Sequence, residues 1–173
     1  MLDATTYATT ETLRDGQTIT IRALKPTDRT ELVSAAGRMS PKSLYRRFFG
    51  PKRHFSEAEI SHFVNIDFSR HVALLALARE RGRENIIGSA RYILTTEKEA
   101  EVAFIVADSF QGRGIGRLLL RHLTEIARNK GVETFVAEVL PENVGMLKVF
   151  ANSGMQCRKT RSMGSVRLTL RLV

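Results

Sequence analysis

Gln111-Gly112-Arg113-Gly114-Ile115-Gly116 puts three glycines into five residues. An apolar stretch, Val102 to Ala107, leads into the turn, and a long run with leucines at helical spacing leads out of it. The first turn of a helix carries N–H groups with no intrahelical partner, and its dipole is positive there. Glycines let such a backbone approach a large anion closely, so the turn reads as a phosphate-binding nest. Arg113 and Arg117 add positive charge at its mouth. A dinucleotide fingerprint would need glycine at 117, where Arg117 stands, and a Walker loop needs Gly-Lys-Ser/Thr, which is absent. The competing reading is a glycine-rich helix start with no ligand.

Two carboxylates are candidates for acid–base work near the turn. Glu101 opens the strand that leads into it, and strand alternation puts Glu101, Ala103 and Ile105 on one face. Against that, Glu97, Glu99 and Glu101 together can form a solvated acidic loop. Glu138 lies between apolar residues, where a lone carboxylate is costly unless partnered. An ion pair with one of the many arginines accounts for it more simply. Cys157 stands beside Arg158 and Lys159, a setting that lowers a thiol pKa, but a lone late cysteine is more simply structural. His54, His62, His71 and His122 show no metal-ligand spacing with Cys, Asp or Glu, so no metal is expected. No Gly-x-Ser-x-Gly element supports serine nucleophile chemistry.

These residues need elements to hold them. Residues 1–16 are Thr-rich and weakly patterned, and 1–12 read as a loose lead-in. Thr18 to Leu24 alternates and is β-branched, which predicts a strand. Pro26-Thr27-Asp28 starts a helix through Leu32, Val33, Ala36 and Met39, which Ser40-Pro41 ends. A short helix through Leu44, Tyr45 and Phe48 follows, broken by Gly50-Pro51. Ser56 and Glu59 form a capping-box pattern for a helix to about Val64. Strands are predicted over His71 to Arg79, Ile86 to Leu94 and Val102 to Ala107, with Arg81 to Asn85 as a turn. Ile115 to Lys130 is a strong amphipathic helix stopped by Gly131. Thr134 to Leu140 reads as a strand, Asn143 to Asn152 as a helix, and Ser165 to Val173 as the last strand. The order is that of a mixed α/β domain, hairpin-rich first and strand-helix-strand after.

The chain has 173 residues, which predicts one domain over 1–173. Apolar residues make up 43% and charged residues 26%, an ordinary globular balance rather than that of a disordered chain. The net charge is +9, carried by 20 Arg and 7 Lys against 18 acidic residues. Such a surface favours polyanions, acidic proteins or phosphate-bearing ligands. A single cysteine excludes an internal disulfide framework and points to a reducing compartment. The longest apolar run, Val72 to Ala78, falls far short of the ~20 residues that span a bilayer. The N-terminus has no signal-peptide pattern. The expectation is a cytoplasmic protein.

The turn and its surroundings resemble the GNAT acyltransferase superfamily, whose acyl-CoA pyrophosphate loop is written Q/R-x-x-G-x-G/A. Ala100 to Val106 resembles that family's fourth strand, and Ala137 to Asn143 its fifth strand and following turn. Phe150 to Met155 is similar to a late Tyr-x-x-x-Gly-Phe segment, with two departures. Leu13 to Gly16, Ile21 to Asp28, Ser40 to Phe49 and Asp67 to Leu74 resemble one branch in particular. It is the acetyltransferase domain of bacterial protein lysine acetyltransferases that modify acyl-CoA synthetases. Members often also carry a synthetase-like or cyclic-nucleotide-binding domain, and neither fits in 173 residues. A stand-alone form and an excised domain both remain open.

The resemblance implies a central, mostly antiparallel sheet with splayed fourth and fifth strands, flanked by helices. It implies acetyl-CoA as co-substrate, with Gln111, Gly112, Arg113, Gly114, Ile115, Gly116 and Arg117 at the pyrophosphate. Phe104, Ile105 and Val106 would line the acetyl end, a main-chain N–H around Ile105 and Val106 polarising the thioester. Glu101 takes the role of general base, acting through a water, with Glu138 as its rival. Asn143 would contact the pantetheine arm and also serve as an N-cap. Phe150 stands where many members have a tyrosine that reprotonates the thiolate, and phenylalanine has no proton to give. The implied reaction is acetylation of a lysine on an acidic protein, with an acyl-CoA synthetase the implied target. Arg46, Arg47, Arg53 and Arg70 are the expected docking charges. A small amine or a protein N-terminus is the alternative acceptor, and a non-catalytic CoA-binding domain the alternative role. A nucleic-acid-binding module is disfavoured, because the arginines are scattered and no reading motif is present.

Overall fold

Hydrophobic patterning builds one eight-stranded sheet, described here from a computed structural model of residues 1–173. The strands are β1 (Ala8–Thr12), β2 (Thr18–Ala23), β3 (His71–Glu80), β4 (Arg83–Leu94), β5 (Glu99–Val106), β6 (Thr134–Val139), β7 (Gln156–Ser162) and β8 (Ser165–Arg171). Their order is β1-β2-β3-β4-β5-β6-β8-β7, and only β5 and β6 run parallel. The mixed, mostly antiparallel sheet flanked by helices is the expected fold class.

The helices divide between the two faces. On one lie α4 (Ile115–Asn129) and α5 (Val144–Ala151). On the other lie α1 (Arg29–Gly37), α2 (Pro41–Phe48) and α3 (Glu57–Val64). Strand alternation sorts the side chains accordingly. Val72, Leu74, Tyr92, Val102, Phe135 and Leu168 join the main core under α4. Leu75, Leu77 and Ile86 join a smaller core with Ala35 and Val64. Ile115, Leu119, Leu120, Leu123 and Ile126 of α4 are all buried. Each contributes about 1.5–3 kcal/mol when fully buried. Helix α4 is therefore held far more firmly than α1–α3, whose buried apolar residues are only Ala35, Leu44 and Val64. No helix is long and apolar enough to cross a membrane.

Three expectations change. The N-terminal residues are not a loose lead-in: β1 pairs antiparallel with β2, from Ala8↔Arg22 to Thr12↔Thr18. Tyr7 Oη lies 2.5 Å from His122 Nδ1, and Glu11 meets His122 Nε2 at 2.6 Å, fastening this edge to α4. Strand β7 was not expected at all, because its residues Gln156–Ser162 are nearly all polar and exposed. Ser40-Pro41 opens a helix rather than closing one. The Ser40 side chain accepts the Ser43 N–H as N-cap, and Pro41 fills the first helical position.

Candidate functional site

The strand-turn-helix stretch closes around a cavity. Gly112 and Gly114 adopt φ of 76° and 87°, a region costly for side-chain-bearing residues, and Gly114 is the N-cap of α4. A Cβ at either position would meet nothing within 4 Å, so the backbone there borders open space. That space, about 210 Å³, is lined by Gln111, the three glycines, Arg117 and Asn143. Gln111 itself serves the turn: its Nε2 donates to Val106 O and Ser43 Oγ, both at 3.0 Å. Arg113 does not stand at the mouth. Its guanidinium lies over the Phe110 ring and donates to Asp15 and Gln17, each at 2.5 Å. Arg117 stays exposed and borders the cavity. Ile115 is buried in the core beneath it.

A second cavity, of about 230 Å³, adjoins the first where two strands part. Strands β5 and β6 pair only at Glu99↔Thr134, Ala100↔Phe135 and Glu101↔Val136. Beyond Glu101, β5 continues against β4 alone, while β6 continues against β8. Backbone amides alternate sides along a strand. Ala107 N–H reaches β4, on Ile87 O, so Ile105 N–H points that way too. The amides of Phe104 and Val106 then face the gap, as does the Val106 carbonyl that Gln111 holds. Of the two amides expected to polarise a thioester, only that of Val106 is placed to do so.

Glu101 is exposed, at the last paired rung, and lines this gap. Glu138 lines it too, but its carboxylate accepts hydrogen bonds from Ser165 Oγ at 2.7 Å and Arg167 Nη1 at 3.0 Å. Asn143 caps α5, its side chain accepting the Met146 N–H at 3.3 Å, and it borders both cavities. Phe150 is fully buried and packs edge-on against Phe104, with ring centroids 5.6 Å apart. It supports the floor of the gap. Cys157 lies away from both cavities, and burial pushes its thiol up, against the opposing charge of Lys159.

A model of the acetyltransferase (GNAT) family matches residues 40–155. The chain belongs to the GNAT acetyltransferase family. Among curated proteins, this GNAT chain is 34% identical to Acetyltransferase PA5475 of Pseudomonas aeruginosa over 122 residues, 70% of this chain and 66% of that protein. It is 31% identical to Acetyltransferase Pat of Mycolicibacterium smegmatis over 144 residues, 82% of this chain and 42% of that protein. The chain thus spans less than two thirds of either. The crystal structure of the GNAT domain of S. lividans PAT superposes with a TM-score of 0.86 at 36% identity, covering 95% of this chain and 96% of that one.

Sequence reasoning missed how the GNAT turn is braced. Asp108 accepts hydrogen bonds from Ser40 N–H at 2.9 Å and from the Ser40 and Ser43 hydroxyls at 2.7 Å. Burial pushes its carboxyl up, but these bonds outweigh that and hold it below the usual range. Arg46 and Arg47 are not surface docking charges. Both are half-buried and line the two cavities, and the Arg47 guanidinium rests on the Phe48 ring. Arg53 and Arg70 remain exposed.

Proposed function

We propose that the protein transfers an acetyl group from acetyl-CoA to the side-chain amine of a protein lysine, on an acyl-CoA synthetase in the cytoplasm. The single observation that carries this is the position of Glu101, at the last rung before β5 and β6 part. A carboxylate stands there at one end of the gap, and the glycine turn lies beyond the other end of β5. The open backbone at Gly112 and Gly114 and the cationic Arg117 suit the phosphates of CoA. The gap suits its pantetheine arm, bordered by Asn143.

A lysine amine has a reference pKa of ~10.4 and must lose a proton before it attacks. Glu101 takes that proton, through a water. The amine nitrogen bonds to the thioester carbonyl carbon, and the Val106 N–H stabilises the charge that develops on the carbonyl oxygen. The carbon–sulfur bond breaks, and CoA leaves as a thiolate. Its reference pKa of ~8.5 allows that, and the phenylalanine at 150 has no proton to add. The sequence resemblance to protein lysine acetyltransferases supports a protein acceptor, and the +9 charge supports an acidic one. The test is thiol release from acetyl-CoA with a lysine-bearing acyl-CoA synthetase, compared with a small polyamine. Release with the polyamine alone would overturn the protein-lysine reading.

A further inference from the structure

A third cavity, of about 80 Å³, lies under α1–α3 against β4 and β5, separate from the glycine turn and not lined by Glu101. Its walls include Leu32, Met39, Phe48, Phe55, Ile60 and Phe63. The three phenylalanines pack edge-to-face, with centroids 5.4 to 6.2 Å apart. Into this apolar space come three polar groups: Arg47 from α2, and Ser89 and Arg91 from one face of β4.

None of the three is fully satisfied by the protein. Ser89 Oγ is buried with no hydrogen-bond partner. Arg91 is only 6% exposed, and only its Nη1 bonds, to Phe63 O at 3.1 Å and His71 Nε2 at 3.2 Å. The His71 nitrogen must accept, since a guanidinium only donates. Arg47 makes no side-chain hydrogen bond and rests on the Phe48 ring, 4.7 Å from its centroid. Neither arginine belongs to any of the ion pairs of the molecule. Burial lowers both, Arg47 to about 10 and Arg91 to about 9, with repulsion from Arg47 adding to the second. Both therefore remain charged at neutral pH. No carboxylate lines the hollow: Glu101 offsets part of the half-buried Arg47 charge from its other side, but Arg91 has no such neighbour, and an uncompensated buried charge is strongly destabilising.

We infer that this cavity binds a small monocarboxylate with a short or branched apolar body. The carboxylate meets the free nitrogens of Arg91 and Arg47 and the Ser89 hydroxyl, as guanidinium forks favour. The hydrocarbon end lies among the phenylalanines. A water needs roughly 10–15 Å³, so the space holds roughly five to eight non-hydrogen atoms, the size of a three- to six-carbon acid. A phosphate would bring more charge and nothing to fill the apolar walls. Arg47 also borders the Glu101 gap, but Arg91 and Ser89 do not, so the main contacts of the acid stand apart from that gap. The inference does not depend on the acceptor proposed above.

The test uses the whole chain with two probes of equal shape, isovalerate and isovaleramide, by calorimetry and thermal melting. Isovalerate is expected to bind and raise the melting temperature, with the neutral amide at least tenfold weaker. Binding should weaken at least tenfold in Arg91→Met and severalfold in Ser89→Ala, and should change less than twofold with saturating CoA present. Equal binding of the amide overturns the proposal. So does unchanged affinity in Arg91→Met, loss of binding on adding CoA, or no heat and no melting shift at 20 mM isovalerate. If Arg91→Met does not fold, the acid–amide comparison and Ser89→Ala decide. If neither probe binds but an acidic peptide does, with affinity lost in Ser89→Ala, the cavity takes a protein side chain and the small-acid proposal falls.

Discussion

Ser43 Oγ accepts a hydrogen bond from Gln111 Nε2 at 3.0 Å and donates one to Asp108 at 2.7 Å. One buried hydroxyl thus joins the helix carrying Arg46 and Arg47 to the turn that opens α4. Ser43→Ala leaves Gln111 without that acceptor and Asp108 with Ser40 alone. A hydrogen bond to a charged group contributes about 1.5–3 kcal/mol, so urea unfolding should show a loss of that order. Affinity for acetyl-CoA should fall with it, because the turn loses its brace. A variant with unchanged stability would mean the contact is incidental.

Gly114 separates backbone strain from ligand chemistry. Its φ of 87° disfavours any side chain, yet a Cβ there meets nothing. Gly114→Ala and Gly114→Asp should each cost about 1–3 kcal/mol in stability. Only the aspartate also brings a negative charge to the cavity, so only it should weaken acetyl-CoA binding more than tenfold. Similar calorimetric affinities for the two would move the phosphate site elsewhere.

The two carboxylates of the gap differ in engagement. Both Glu138 oxygens are held, by Ser165 and Arg167, whereas Glu101 makes no side-chain hydrogen bond. Glu101→Gln should lower turnover by the ~10²–10⁴-fold typical of a general base, leaving acetyl-CoA affinity nearly intact. Glu138→Gln should change turnover only severalfold. The reverse ranking in steady-state kinetics would assign the base to β6.

His71 makes stability depend on pH. Burial, helped by the Arg91 charge, lowers its pKa from 6.5 to about 4, with Asp67 opposing and His62 and Arg47 adding to the shift. Between those values the unfolded chain binds a proton that the folded chain refuses. This contribution is therefore intact above about pH 6.5 and declines as pH falls toward 4, by on the order of 2 kcal/mol. Urea titrations at pH 7, 6 and 5 should show that slope, and His71→Gln should flatten it. An equal slope in the variant would locate the effect in other groups.

The proposed docking of an acidic protein would fall to the exposed Arg53 and Arg70. Arg53→Glu with Arg70→Glu should slow acetylation of the protein acceptor and leave a short lysine peptide unaffected. KM for the protein should rise steeply with salt, as the Debye length shortens from ~10 Å at 0.1 M to ~3 Å at 1 M. Equal slowing on peptide and protein would show that these residues support the fold instead.

What the sequence disclosed depended on range. The glycine turn was legible because its requirement is local: positive φ at Gly112 and Gly114 and a helix directly after. The two missed strands, β1 and β7, have little apolar alternation, since each lies at an edge of the sheet with much of its surface in water. Arg113 misled because its partner, Asp15, is 98 residues away in the chain. Arg47 misled because charge was read as exposure, whereas its neighbours Leu44 and Phe48 fix which way that side of α2 faces. The cavity holding Arg91 could not be seen at all, because His71, Phe63 and Ser89 converge on it only after β3, α3 and β4 are in place.

The three-rung seam between β5 and β6 has a mechanical side. The block of β6, β8 and β7 hangs from the rest of the sheet by few backbone bonds, so side-chain packing sets how far it stands off. Phe104 and Phe150, whose rings meet edge-on, act with Val139 as shims beneath the slot. Trimming any of them should alter the gauge of the opening, so that a change in the packing of the floor would be read out as selectivity for what can slide between the strands.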